Sequence, residues 1–261
     1  MFTSNPFVEL SAFISTGAMQ TYIIVMVILV AGGTVYDVLH KKSALYFRKN
    51  MQKSKARATQ QVGAGELLSM AVKTAVVDVA ASGEFCNPKR RIAHLLTMYG
   101  FVAFAVTTAL MIFCYPTSAT ATPAIVAQLW HLGALMVCVG GYWFWFFIRV
   151  DVAAEGNSPF RIMRADLFIL SLLASATFAL LWSYLQVTGN SWAMVAFGLH
   201  VIATTMLLGS VPWSKFAHMF FKPAAAFEKR VSAANGFRSN LPAPAEVPET
   251  LGSPVEQPRH Y

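Results

Sequence analysis

The chain has 261 residues, 56% of them hydrophobic and 12% charged, about half the charged fraction of a soluble domain, which excludes an ordinary water-soluble globule. Three cysteines, Cys86, Cys114 and Cys138, none at CxxC spacing, exclude a disulfide framework and a cysteine-held iron–sulfur or zinc site. The formal charge of +8 comes from basic residues beside long apolar stretches, a pattern of membrane orientation rather than of nucleic-acid binding.

A spanning helix needs about 20 apolar residues. Five stretches meet that length: residues 20 to 39, 95 to 115, 123 to 148, 167 to 187 and 192 to 213. The stretches 95 to 115, 167 to 187 and 192 to 213 carry no charged residue, and the first carries only Asp37, near its end. No basic residue precedes the first stretch, so it reads as a retained helix rather than a signal peptide. The fold class expected is all-α, a polytopic bundle of five transmembrane helices.

Lysine and arginine counts then set the orientation. Residues 40 to 94 hold eleven, residues 149 to 166 hold three, and the segment after 213 holds six, which accounts for all twenty. By the positive-inside rule those segments face the cytoplasm, and the N-terminus and the loops at 116 to 122 and 188 to 191 face outward. The expected organisation is an outer N-terminus and first helix (1–39), a basic cytoplasmic loop (40–94), a four-helix membrane domain (95–222) and a cytoplasmic tail (223–261). Within the basic loop, residues 65 to 81 place apolar side chains at helical spacing and read as an interfacial or partner-binding helix. From about Ser232 the chain is rich in proline and small polar residues and is expected to be disordered. The run Tyr142 to Phe147 reads as an interfacial aromatic belt.

Six histidines carry most of the functional information. His260 lies in the tail and His40 at the end of the first span beside Lys41 and Lys42. The other four, His94, His131, His200 and His218, lie on or at the ends of the second, third and fifth spans. Intramembrane imidazoles need partners for both ring nitrogens and are rare unless used. His200 and His218 are 18 residues apart, five helical turns on one face and about 27 Å along a straight axis, with Pro212 between them able to bend or end the helix. His131 and His200 are each eight residues from the outer end of their span, about 12 Å deep. His94 and His218 both fall at the inner edge. Two imidazole pairs from different helices match bis-histidine ligation of haem b, with His131 and His200 on an outer iron and His94 and His218 on an inner one. His40 competes with His94 for the inner position. Gly100, Gly133, Gly140, Gly141 and Gly198 are expected to leave room for a porphyrin.

The segments Pro88 to Phe101 (PKRRIAHLLTMYGF) and Val211 to Pro223 (VPWSKFAHMFFKP) resemble membrane cytochrome b subunits of the respiratory nitrate reductase gamma type. The wider group includes the membrane subunit of the quinone-interacting oxidoreductase of sulfate reducers, the tricarballylate-utilisation electron-transfer protein and the membrane anchors of adenylylsulfate reductase, which the chain resembles most. The resemblance covers roughly residues 65 to 223. It implies ligand roles for His200 and His218 and supports His94 at the basic entry to the second span, whereas His131 rests on depth alone. The chain lacks the fused iron–sulfur domain of the sulfate-reducer subunit.

The function implied is electron relay in the bacterial inner membrane between a soluble cytoplasmic iron–sulfur flavoenzyme, adenylylsulfate reductase by resemblance, and the quinone pool, through haem b, two per chain. The substrate chemistry would reside in the partner, and no catalytic residue is assigned. Proton exchange with quinone is expected at the inner side, where Asp37, Asp166, Lys215 and Arg164 lie, rather than near Tyr115, Thr117 and Ser191. Two rival classes are a haem-free membrane anchor, whose histidines would pair with backbone carbonyls, and a small transporter, for which repeats and interrupted helices are wanting.

Overall fold

The computed structural model describes residues 2–40, 43–83, 85, 87–149, 162–163, 166–212 and 218–236. Among them all regular structure is helical. The elements are α1 (Pro6–Leu10), α2 (Thr16–His40), α3 (Ser43–Ala56), α4 (Ala64–Lys73), α5 (Pro88–Cys114), α6 (Ala124–Trp143), α7 (Leu167–Val187), α8 (Ala193–Gly209) and α9 (His218–Ala234). Wide π-type turns extend α4 through Thr74–Ala80 and α6 through Phe144–Ile148.

Four helices among the described residues are long and apolar enough to cross a membrane: α2, α5, α6 with its extension, and α7. The fifth stretch forms α8, an apolar helix of 17 residues and hence about 26 Å, somewhat short of a hydrocarbon core of about 30 Å. Helix α5 begins well before residue 95, because Asn87 caps its first turn by accepting from the Lys89 N–H (2.9 Å) and Pro88 sits where no backbone donor is needed.

At the crossing of α5 and α6 the helices meet through missing side chains. A Cβ on Gly133 would stand 2.7 Å from the Phe104 nitrogen, and one on Gly100 would stand 2.7 Å from the Gly133 carbonyl oxygen. Gly140 meets the Ala93 carbonyl in the same way, so α5 and α6 cross with backbones almost touching. Gly141 faces Leu173 of α7, and Gly198 faces open space. Four of these five glycines are therefore filled by neighbouring helices rather than left open for a porphyrin, and only Gly198 has open space beside it.

A short element not expected from the sequence closes the end of the bundle opposite the basic residues. Asn5 caps α1 through the Phe7 N–H (3.0 Å), and its amide donates to the Tyr115 carbonyl (3.0 Å) and Thr122 Oγ1 (2.9 Å). The Gln186 amide holds the Pro6 carbonyl at 2.9 Å. Phe7 thereby enters the core between Trp130 and Trp182.

At the basic end, α3, α4 and α9 gather into a small layer in which α4 and its extension expose Leu68, Val72 and Val76. Arg230 grips Asp78 through both carboxylate oxygens (2.7 and 2.8 Å), and the Thr59 N–H reaches the Asn235 carbonyl at 3.0 Å. The layer is tied to the bundle where Tyr99 Oη and Arg91 Nε of α5 donate to the carbonyls of Ala80 and Ala81, each at 2.8 Å. Residues Ser232 to Ala234, expected in a disordered tail, continue α9, which stops at Gly236 with φ +71°. The rest of the tail, with His260, lies outside the described residues, as do Cys86, Arg161, Arg164 and Lys215.

Candidate histidine site in the helix bundle

His131 is fully buried on α6. Its Nδ1 lies 2.7 Å from the Ala127 carbonyl one turn earlier, and a carbonyl can only accept, so Nδ1 carries the proton. The bare Nε2 accepts from Ser183 Oγ of α7 at 2.8 Å. His200 on α8 repeats the arrangement, with Nδ1 donating to the Ser175 carbonyl at 2.9 Å. Ser175 Oγ in turn bonds Thr204 Oγ1 at 2.8 Å, which surrounds that imidazole edge with hydroxyls.

Both rings thus lean on the same helix, α7, but at serines eight residues apart, about 12 Å along the axis. Aromatic side chains occupy the volume between them. Trp130 meets His131 edge-on (centroids 4.8 Å), Trp182 stacks on His200 (6.2 Å, 15°), and the two indoles touch at 6.3 Å. Phe104 closes the other side against Trp130 and His200. Equal counting from the outer ends predicts a common depth that the rings do not share: they meet α7 about 12 Å apart along its axis, because helices that tilt and start at different heights do not carry equal residue counts to equal levels.

At the basic end, His94 is half-buried, with Nδ1 3.1 Å from Ser82 Oγ and its ring 4.8 Å from Phe85. Ser82 adopts φ 50°, the left-handed conformation that turns the chain from the α4 extension back toward α5. Lys222 Nζ lies over the other partner of that contact, 5.4 Å from the Phe85 ring. Lys222 is one turn beyond His218 on α9, so the start of α9 approaches His94 across Phe85. The His218 side chain lies outside the described residues. His40 is exposed and stacks on Tyr36 at 5.4 Å.

For haem iron the donor chemistry fits. A ligating imidazole holds its second nitrogen on a carbonyl or carboxylate and offers a deprotonated nitrogen to the metal, and His131 and His200 both have Nδ1 fixed in that way. Seating a porphyrin between them requires Trp130 and Trp182 to swing aside and Ser183 to release Nε2.

Of the inner-side carboxylates, Asp166 is tied to structural partners. Asp166 is buried, pairs with Arg149 Nη2 at 2.6 Å and accepts from the Met163 N–H at 2.8 Å. Asp37 is buried in the last turn of α2. Arg149 also covers Trp145 at 4.1 Å, which fastens the aromatic run to the α6–α7 connection.

Comparison of the chain with protein-family models, with curated proteins and with solved structures finds no match.

Proposed function

We propose that the chain is a five-span membrane anchor, N-terminus outside and C-terminus cytoplasmic, that relays electrons between a soluble cytoplasmic iron–sulfur flavoenzyme and the quinone pool of a bacterial inner membrane. By the resemblance stated above, the partner is adenylylsulfate reductase. The observation that supports the relay is the pair of buried helix-borne imidazoles whose Nδ1 groups are anchored on carbonyls, the tautomer that an iron ligand needs; in His131 the Nε2 that would bind iron accepts from Ser183 and would have to exchange that hydroxyl for the metal. His131 and His200 would hold the outer haem b, and His94 and His218 the inner one. Bis-imidazole haem b supplies one-electron transfer with both axial positions filled.

What supports the orientation is the alternation of helix ends. Helices α2, α6 and α8 finish, and α5, α7 and α9 start, at the end that carries the basic residues. What supports five spans is that no charged residue occurs from 167 to 212, so α8 and its flanking turns can reach across with α7. The basic layer of α3, α4 and α9 lies beside His94 and gives an acidic partner a face to approach.

The test is electron transfer in proteoliposomes. With adenylylsulfate reductase, sulfite and AMP outside the cytoplasmic face, the b-haem signal should reduce and a quinone analogue should reoxidise it. His94→Ala and His218→Ala should abolish reduction from the partner.

A haem-free anchor is the second reading, and one observation favours it. The tryptophans between His131 and His200, together with the closed glycine crossing, form a packed core in which both imidazoles are hydrogen-bonded to protein groups. That reading predicts a colourless protein that still retains the soluble enzyme on membranes.

A further inference from the structure

A groove of about 540 Å³ opens where the basic end of α2 meets α3 and α9. Val38, Phe47, Met51 and Phe221 make its wall, so the interior is apolar. Arg48 and Lys55 stand on its rim. They are seven residues apart on α3, two turns along one face and about 10 Å from each other along the axis. Both are exposed, and among the described residues neither is in an ion pair. Two acids lie close by: Asp37, buried next to the lining residue Val38, and Glu228, which borders a separate small depression with Lys55 and bonds Asn50.

An apolar slot with two exposed cations at its mouth, set at the end of a membrane helix, matches one ligand chemistry: an acyl chain joined to a phosphate. A neutral headgroup or a quinone ring would use the slot but gain nothing from the two cations. We infer that this groove is a binding site for an anionic phospholipid, with an acyl chain against Phe47 and Phe221 and the phosphate held by Arg48 and Lys55. Bound there, the lipid would clamp α3 and α9 to the inner end of α2 and so fix the basic layer that faces the partner. The inference rests on the membrane-embedded reading above and not on haem; a colourless protein would end the relay and leave the lipid site standing.

The test uses the full-length protein, purified in maltoside detergent, delipidated and titrated with dioleoylphosphatidylglycerol or dioleoylphosphatidylcholine, with bound lipid counted by native mass spectrometry. Phosphatidylglycerol should bind about tenfold tighter than phosphatidylcholine, since each basic residue near an anionic headgroup contributes appreciably. The R48Q/K55Q double variant should lose that preference at unchanged helical content, and R48K should keep it. Ala224→Trp, which fills the groove from α9, should weaken both lipids. Equal affinity for the two lipids in the wild type, or an undiminished preference in R48Q/K55Q, overturns the site. Displacement of phosphatidylglycerol by decylubiquinone, lost in Ala224→Trp, makes it a quinone groove and equally overturns it.

Discussion

His131 Nε2 accepts from Ser183 Oγ across the α6–α7 contact at 2.8 Å, with both residues fully buried. Removing the hydroxyl leaves a buried acceptor without its donor, which costs about 1–3 kcal/mol. Ser183→Ala should therefore lower the unfolding midpoint in detergent, and the H131L/S183A double variant should lose less than the sum of the two single changes. In haem-loaded protein Ser183→Ala should leave haem per chain unchanged, because iron would already have replaced the hydroxyl at Nε2.

The glycine crossing makes a sharper contrast. Gly133→Ala forces a methyl group to within 2.7 Å of the Phe104 backbone, where neither helix can yield cheaply, and should destabilise by about 1–3 kcal/mol. Gly198→Ala meets nothing within 4 Å and should be neutral or stabilising by up to about 1 kcal/mol, since alanine is the better helix former. Thermal unfolding of the two variants side by side checks this.

Asp166 is held by Arg149 and by a backbone N–H, so its carboxylate has a positioning task at the start of α7. Asp166→Ala should cost about 1–3 kcal/mol in unfolding free energy. Asp166→Asn should leave the maximal rate of quinone reduction at the wild-type level. A rate loss with unchanged stability would return Asp166 to the proton-exchange role that its place in the sequence suggested.

Glu228 supplies a pH dependence at the basic layer. Burial pushes its carboxyl above the ordinary 4.5, and the hydrogen bond from Asn50 only partly opposes this. The folded chain thus holds the proton more tightly than the unfolded chain. The resulting stabilisation is full below 4.5 and is lost as pH rises through the folded value. Glu228→Gln should flatten the decline of stability with pH just above 4.5, measured by thermal unfolding across that window.

The apolar runs made the helices legible: the stretch read as 20 to 39 is Thr16–His40, and that read as 167 to 187 is Leu167–Val187. A bilayer-length run leaves few alternatives to a helix. The N-terminal element was missed although Asn5 followed by Pro6 is a helix-start signal, because five residues leave no periodicity to detect. Four of the five glycines expected to leave room for a porphyrin are instead filled by neighbouring helices. A missing side chain serves a cofactor or a neighbouring backbone equally well, and only the position of α5 beside α6 decides. The histidines show the same limit: counting turns gives a distance along each helix, but the level at which His131 and His200 meet α7, and the placement of Trp130 and Trp182 between them, depend on helix tilt and rotation.

The most direct measurement is the dithionite-reduced minus air-oxidised spectrum, with haem per polypeptide, of protein purified from a haem-competent host. The relay predicts a sharp b-type α band at about two haems per chain, with His131→Ala and His218→Ala each removing one. Folded protein without absorbance, made with haem supplied, would contradict it and leave the haem-free anchor.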